Sequence, residues 1–290
     1  MKYTLITPAR NEEAYLEKTI QTVIAQTILP QRWVIVSDGS TDRTDEIAGK
    51  YAAEYDFIQL IANDADAERN FGSKSKAIEY GYKQLSGIDY DYIGNLDADV
   101  AFAPNYYEQI LTKFEENPKL GVAGGIRYDL VSGETFEKVM CAKNSVGGPF
   151  QLFRRECYEK IGGYLPLKYG GVDAVAETMA RMHGWQVQSF DEYRVNHFRR
   201  TGTAGRGIIH ARFRAGIKDY LIGYHPLFQL LRGTYHMLGS PFLIGGAAFL
   251  SGYFWAALRR LKRPVSDEFV SYLRTEQMAR LRGKNAAFRL

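Results

Sequence analysis

Polar and apolar positions over the first hundred residues switch between two spacings, and the switching predicts a repeated strand–helix unit. Tyr3–Thr7 reads as a strand. Asn11-Glu12-Glu13 then offers an N-cap type residue with acids in a first helical turn, and Leu16, Ile20, Val23 and Ile24 supply one apolar face at helical spacing. Trp33–Ser37 is a second, almost wholly apolar strand. Ser40-Thr41-Asp42 caps a second helix whose inner face is Ile47, Ala48, Tyr51 and Ala52. Phe57–Ile61 is a third strand, Lys74–Leu85 a third helix, and Tyr92–Leu96 a fourth strand that runs into Asp97. Strands apolar along their whole length are buried on both faces, so the expected class is α/β, a mostly parallel, Rossmann-like sheet flanked by helices. Ligands of such sheets bind outside the carboxyl ends of the strands. The residues expected there are Pro8–Asn11, Ser37–Asp42, Asn63–Asp66 and Asp97–Asp99.

Beyond Asp99 the pattern loosens. Helices are predicted over Tyr106–Glu116, Arg155–Ile161 and Asp173–His183, and strands over Leu120–Ile126, Phe150–Phe153 and Trp185–Phe190. Gly162-Gly163 marks a turn. Met237–Leu258 contains no charged residue, and as one straight helix it would cross a bilayer. Seven Gly, Ser and Pro residues interrupt it, and Arg259-Arg260-Leu261-Lys262-Arg263 follows at once. A shallow hairpin or an interfacial helix pair with both ends on the cytoplasmic side is the expectation; the alternative is an amphipathic pair packed on the rest of the protein. The division expected is 1–205 for the catalytic domain and 206–290 for a basic, partly apolar, helical and membrane-associating region.

Charge reinforces that division. From Arg199 to Leu290 sixteen Lys and Arg face four Asp and Glu, while the remainder carries 21 against 29. An asymmetry of this kind suggests a basic segment facing an anionic partner. The apolar run favours an anionic membrane surface, and no nucleic-acid-binding motif accompanies the basic residues. Cys141 and Cys157 show neither metal spacing nor a disulfide framework, and read as small apolar fillers in a reducing compartment. Met1-Lys2-Tyr3 leads straight into a strand, so no signal peptide is expected.

The chemistry begins at Asp97-Ala98-Asp99. Two carboxylates one residue apart at a strand's end reach one hard cation, Mg2+ or Mn2+, which keeps waters and takes up phosphate oxygens. In Ser37-Asp38-Gly39-Ser40-Thr41-Asp42, Gly39 permits a tight turn and the following helix aims free N–H groups at the site. Its carboxylates suit a uracil or guanine edge, or ribose hydroxyls. Guanidinium forks such as those of Arg199 and Arg200 match phosphate oxygens in pairs.

Thr7-Pro8-Ala9-Arg10-Asn11-Glu12, then Asp38-Gly39-Ser40-Thr41-Asp42, then Asp97-Ala98-Asp99 resemble, in this order and spacing, the motifs of family 2 glycosyltransferases of the GT-A fold. Asn70-Phe71-Gly72-Ser73-Lys74 is similar to the family's Asn-x-Gly-Lys stretch, with Lys74 displaced by one residue. The resemblance covers roughly residues 1–200. It implies that Pro8, Ala9, Asn11, Glu12, Asp38, Gly39, Ser40, Asp42 and Lys74 bind the nucleotide. It implies that Asp99 binds the metal and that Asp97 contacts ribose or metal. The family supplies its base from a Glu-Asp pair at a helix head after a Gly-Gly-aromatic turn. Gly162-Gly163-Tyr164 and Asp173 match, Val172 replaces the acid, and Glu177 is the reserve. His197 is expected to complete the metal shell or touch the diphosphate, with Arg199 and Arg200 closing over it. The stretch lacks the Gln-x-x-Arg-Trp pattern of processive relatives, which argues against a chain-building synthase.

The function implied is an inverting, metal-dependent glycosyltransferase at the cytoplasmic face of the plasma membrane. It would pass a sugar from a nucleotide-diphospho-sugar to a sugar hydroxyl or a polyprenyl-linked acceptor. Two rival readings stand beside it, a sugar-phosphate nucleotidyltransferase and a non-catalytic sugar-nucleotide scaffold. The first would carry a glycine-rich basic loop after the first strand, where this chain has Pro8–Glu12; the second has no use for both Asp99 and Asp173. Gly147-Gly148-Pro149 is expected to let backbone approach the acceptor near Gln151–Arg155, and Tyr128, Tyr164 and Trp185 are candidate sugar platforms.

Overall fold

A computed structural model of the chain describes residues 1–63, 71–199, 207–239 and 241–283. The first half builds the expected alternation: β1 (Tyr3–Ala9), α1 (Leu16–Ile24), β2 (Arg32–Asp38), α2 (Thr44–Glu54), β3 (Ile58–Asn63), α3 (Phe71–Lys83), β4 (Tyr92–Asn95) and the short β5 (Val100–Phe102). Then follow α4 (Tyr106–Glu116), β6 (Leu120–Ser132), β7 (Thr135–Lys138), a 3-10 turn over Gly148–Phe150, β8 (Leu152–Arg154), α5 (Arg155–Ile161), α6 (Val172–Met182) and β9 (Gln186–His197). Among the described residues nine strands form one sheet in the order β3-β2-β1-β4-β8-β6-β9-β5, with β7 paired to β6. β1 is parallel to β2 and β4, β2 to β3 and β6 to β9. β8 is antiparallel to β4 and β6, and β5 to β9.

The central strands hold because both of their faces are covered. Every residue of β1 but Pro8 is buried, as is every residue of β2 after Arg32. Trp33 lies wholly in the core and donates its Nε1–H to Thr7 Oγ1 at 2.9 Å, so its one polar atom is satisfied. The strand order turns around β1, which is flanked by β2 on one side and β4 on the other. The chain ends at that crevice carry Pro8 and Ala9, Asp38, and Asp97.

Several expected boundaries move, each for a physical reason. The first helix starts at Leu16 rather than at Asn11, because Asn11 takes the left-handed conformation (φ 56°) and the backbone after it bonds to a different loop. Strand β6 runs on to Ser132 and β9 to His197, past the apolar stretches that predicted them. Their outer halves are partly exposed and carry charges such as Arg127, Asp191 and Arg194, which hides them from an apolar count. Gly148–Phe150 is a 3-10 turn, so the strand expected over Phe150–Phe153 begins at Leu152. Asp66 and Asn70 fall outside the described residues.

The chain divides into two compact units. One comprises residues 1–166 and 172–199; the other takes Leu167–Gly171 with the helices that follow Gly207. In the second unit the charge-free run is not one element. α7 (Gly207–Ile222) is followed by α8 (Pro226–Met237), α9 (Ile244–Leu258) and α10 (Asp267–Leu281). Leu243, at φ 58°, turns the chain between α8 and α9. The glycines that interrupt the run are packing devices. A Cβ on Gly252 of α9 would lie 2.0 Å from Phe213 O of α7, and one on Gly216 of α7 would lie 2.0 Å from Phe249 O of α9, so these two helices touch backbone to backbone. At 1.5 Å per residue the 15 residues of α9 fall short of a bilayer core. Among the described residues no helix is long and apolar enough to cross a membrane.

Candidate active site

The loops leaving β1 and β2 are stitched together by their own side chains. Asn11 Oδ1 accepts Thr41 N–H at 2.8 Å, and Glu12 N–H donates to Thr44 Oγ1 at 2.7 Å. Glu13 N–H donates to Asp42 Oδ2 at 3.1 Å, while Asp42 Oδ1 accepts Thr44 N–H at 3.0 Å. Asn11 and Asp42 thus shape the loop, and Asp38 lies buried in the same turn with Arg10 Nη1 3.8 Å away. Ser40 Oγ accepts Asn11 N–H at 3.3 Å beside Gly39, whose φ of 67° makes the tight turn. Pro8 and Ala9 close β1.

At the end of β4 the chain crosses toward β5, and Asp97 N–H donates to Pro149 O at 2.8 Å. The Lys74 ammonium reaches Asp97 Oδ1 at 2.5 Å. Burial pulls the Lys74 pKa down, and the charges of Asp97, Asp173 and Asp99 more than reverse it. Asp99 is buried, and its pKa is raised first by that burial and then by the charge of Asp97. Its Oδ1 lies 3.5 Å from His197 Nε2, and its Oδ2 lies 3.7 Å from Arg199 Nε.

His197 is the last residue of β9, and the parallel register sets it opposite Asp129 of β6. His197 Nδ1 lies 2.9 Å from Asp129 Oδ1. The other ring nitrogen, Nε2, faces the Asp99 carboxylate across 3.5 Å inside a buried corner. Imidazole with carboxylate suits Mn2+ or Mg2+. The carboxylate–imidazole pair is also the usual support for a metal-bound histidine. The residues therefore fit a metal, although no group of three His, Cys, Asp or Glu side chains among the described residues is gathered as a ready cage.

Arg199 is held rather than loose. Its Nη2 pairs with Glu12 Oε2 at 2.6 Å and its guanidinium stacks 5.3 Å from the Tyr15 ring. Burial pushes the Glu12 carboxyl up to about 7, against the opposing pull of Arg199. Arg200 lies outside the described residues.

Asp173 is the second residue of α6. The 3-10 turn passes so near that a Cβ on Gly148 would stand 2.7 Å from Asp173 Oδ2. The same turn accepts the Asn95 side-chain N–H on Gly148 O at 2.8 Å, and the Asp97 N–H on Pro149 O at 2.8 Å. One turn thus stands between the acid at the helix head and the Asp97-Ala98-Asp99 segment. The close approach seen within Gly147-Gly148-Pro149 is that of Gly148 to Asp173.

Glu177, the reserve base, does not reach this space. It is fully inside, and it accepts Val146 N–H at 2.7 Å, Gln151 Nε2 at 2.8 Å and Ser145 Oγ at 2.9 Å. It anchors the segment that leads into the 3-10 turn. Of the three candidate sugar platforms the structure corrects one, Tyr164. Tyr164 is buried among Phe153 and Tyr158 and donates its hydroxyl to Gln151 Oε1 at 2.7 Å. Trp185 packs against the core beside Gly121, and Tyr128 lies under the Arg194 guanidinium at 4.4 Å. Cys157 is buried, which raises its thiol pKa, and it fills space as expected. Asp129 and Arg10 escaped sequence reasoning. Asp129 stands 68 residues from His197 and only strand register joins them. Arg10 sits inside a motif but took its meaning from the nearby Asp38.

Comparison with known proteins agrees with this architecture. The sequence model described as "Glycosyl transferase family 2" matches residues 4–168. A poly-beta-1,6-N-acetyl-D-glucosamine synthase of Staphylococcus epidermidis is 27% identical over 199 residues, covering 62% of this chain and 44% of the relative. Its counterpart in Staphylococcus aureus (strain COL) is 28% identical over 195 residues, covering 61% and 44%. The chain thus spans under half the length of these curated relatives. Among solved structures, the mannosyltransferase PcManGT from Pyrobaculum calidifontis in complex with GDP-Man and Mn2+ has a TM-score of 0.57 at 14% identity, covering 98% of this chain and 76% of that one. S. aureus TarS 1-349 in complex with UDP-GlcNAc has a TM-score of 0.57 at 14% identity, covering 99% and 93%. At such identities the likeness establishes the shared fold.

Proposed function

Because the chain belongs to glycosyl transferase family 2, we propose that it moves a sugar from a nucleotide-diphospho-sugar to an acceptor hydroxyl with inversion at the anomeric carbon, in the synthesis of a cell-envelope polysaccharide or glycolipid. The observation that carries this reading is the single 3-10 turn, Gly148–Phe150, with Asp173 against Gly148 and the Asp97 N–H bonded to Pro149 O. A base and a diphosphate-binding segment held on two sides of one backbone turn suit an in-line displacement.

Asp173 takes the proton of the acceptor hydroxyl as its oxygen bonds to the anomeric carbon. The bond from that carbon to the diphosphate breaks on the opposite side, and nucleoside diphosphate leaves. Asp99 and His197, with Asp97, would hold Mn2+ or Mg2+, and the ion when bound neutralises charge on the departing diphosphate. Lys74 keeps the carboxylates of Asp97 and Asp173 from repelling one another. Asp38 and Ser40 suit base and ribose recognition, while Asn11, Glu12 and Asp42 hold the loop that carries them. Where the acceptor is itself a lipid phosphate, it needs little deprotonation and Asp173 weighs less.

The second unit supports a place at an anionic membrane surface, on the cytoplasmic side. Leu227, Leu230, Leu231, Tyr235 and Leu238 are exposed at helical spacing along α8, and Phe242, Leu243 and Ile244 continue the exposure into α9. Basic residues Arg259, Arg260 and Lys262 follow α9 and are also exposed. This is the chemistry of an interfacial helix pair.

The decisive experiment is a panel of UDP-, GDP- and dTDP-sugars incubated with the protein and Mn2+. Glycosyl transfer or donor hydrolysis yields nucleoside diphosphate. Pyrophosphate as the product would make the protein a nucleotidyltransferase, and no turnover with any donor and acceptor would make it a scaffold.

A further inference from the structure

A second concavity lies on the other side of the β5–β9 ribbon from Asp99. Alternation along β9 turns His197 toward Asp99 and Asn196 the other way, into a groove of about 960 Å3 that Phe198 also lines. The volume is at the top of the range for small-molecule sites. We propose that this groove is a subsite for an uncharged oligosaccharide, the chain whose end receives the sugar. The proposal rests on the glycosyl-transfer reading above and names where its acceptor lies.

The groove's rings are fixed in advance. Tyr15 and Phe198 stack at 5.5 Å with planes 11° apart, and Phe198 meets Phe136 edge-on at 6.1 Å. The Arg194 guanidinium lies 5.5 Å over Phe136 and 4.4 Å over Tyr128. Rings clamped in this way lose little freedom when a ligand arrives. Phe136, Phe198 and Tyr15 are each only partly buried, so ring surface remains open. A pyranose offers a C–H face that lies on an aromatic ring and a rim of hydroxyls that needs planar donors and acceptors. Asn105, Gln109 and Asn196 supply amides on the groove wall.

Charge selects among ligands. Lys18 and Arg194 are balanced by Glu134 and Glu192, so the lining has no net charge. A nucleotide or a phosphodiester polymer would require an excess of cations, and an uncharged glycan requires none. A series of side-chain contacts joins the groove to Asp99. Tyr15, at its end, carries the Arg199 guanidinium at 5.3 Å, and Arg199 Nε faces Asp99 Oδ2 at 3.7 Å.

The test measures binding without any donor present. The full chain is titrated calorimetrically with β-1,6-linked N-acetylglucosamine tetrasaccharide, with a β-1,4-linked glucose tetrasaccharide and with a glycerol phosphate oligomer, then again as Phe136→Ala and as Arg194→Gln. Saturable binding of an uncharged tetrasaccharide that weakens by about tenfold or more in both variants is expected, since losing one stacked ring costs about 1–3 kcal/mol where aromatic stacking on a flat ligand has been measured. No saturable binding by the unmodified protein, equal binding by the variants, or preference for the phosphate oligomer would overturn the proposal. If a substitution lowers the melting midpoint, amide-shift mapping on the unmodified protein decides: shifts at 134–136 and 192–198 support the groove, and shifts confined elsewhere overturn it. A donor panel that fails while the titration succeeds would remove the transferase reading and leave the groove; the reverse result removes only the groove.

Discussion

Gly148 and Asp173 meet so closely that Gly148 has no room for a side chain, since a Cβ there would stand 2.7 Å from Asp173 Oδ2 and 3.1 Å from its Cβ. Gly148 lies in a turn whose carbonyls also hold Asn95 and Asp97, so the turn cannot retreat without moving both. Gly148→Ala is therefore expected to push the carboxylate aside. Displacing a reacting group by about 1 Å costs on the order of 100-fold in rate. Turnover should fall on that scale while donor affinity, measured by titration, stays within about threefold of the parent. Unchanged turnover would mean that Asp173 does not act where it stands.

Asp129 and His197 give a prediction about metal. Asp129 Oδ1, 2.9 Å from His197 Nδ1, fixes the orientation of the ring with Nε2 toward Asp99. Asp129→Ala removes the partner and should weaken Mn2+ binding by about 10–100-fold. Electron paramagnetic resonance of free Mn2+ reads this without turnover. Asp129→Asn keeps an acceptor oxygen and should recover most of the loss. Equal Mn2+ affinity in all three proteins would show that Asp129 does not hold His197 for the ion.

Glu177 predicts how stability depends on pH. Burial pushes its folded-state pKa up to about 7, well above the ordinary carboxylate value of 4.5. Between those values the folded protein holds a proton that the unfolded chain has released. Stability is then fully present below about pH 4.5 and is lost as pH rises through about 7, with a slope of at most about 1.4 kcal/mol per pH unit from this one group. Glu12, pushed up to about 7 mainly by burial, adds a change of the same sign. Glu177→Gln should flatten the decline between pH 5 and 7.5 in urea denaturation. A slope equal to that of the parent would show that Glu177 does not take up the proton.

How much of this could be read from the sequence depended on how local each signal is. β1 to β4 and their helices were legible because strands buried on both faces leave unbroken apolar runs, and the positions of Asp38, Asp97 and Asp99 followed from those ends. The partners of these groups were not legible. Asp129 meets His197 through strand register, and Arg199 meets Glu12 across 187 residues, neither of which leaves a local trace. Glu177 and Asp173 lie one helical turn apart and look equivalent in sequence, yet Ser145, Val146 and Gln151 take up Glu177 and leave Asp173 beside Gly148. The glycines of 237–258 read as breaks in a membrane span, whereas Gly252 of α9 packs against α7 and Gly246 against α8.

The outward face of α8 gives the last prediction. Leu231 and Leu238 are seven residues apart, two turns along the same stripe, and Leu238 keeps 76% of its surface exposed. Gln229 and Gly233, on the other side of the helix, are buried, so charge placed at 231 and 238 need not disturb the packing of α8 on α9. Burying a leucine side chain in an apolar phase contributes about 1.5–3 kcal/mol. Leu231→Glu with Leu238→Glu removes two such terms and adds charges that an anionic surface repels. Partitioning onto vesicles containing phosphatidylglycerol should fall by about 100-fold or more, with the melting midpoint of the protein in buffer little changed. Raising salt should weaken binding of the parent as well, because Arg259, Arg260 and Lys262 contribute through screened attraction. If the double variant sediments with vesicles as the parent does, α8 does not face the lipid.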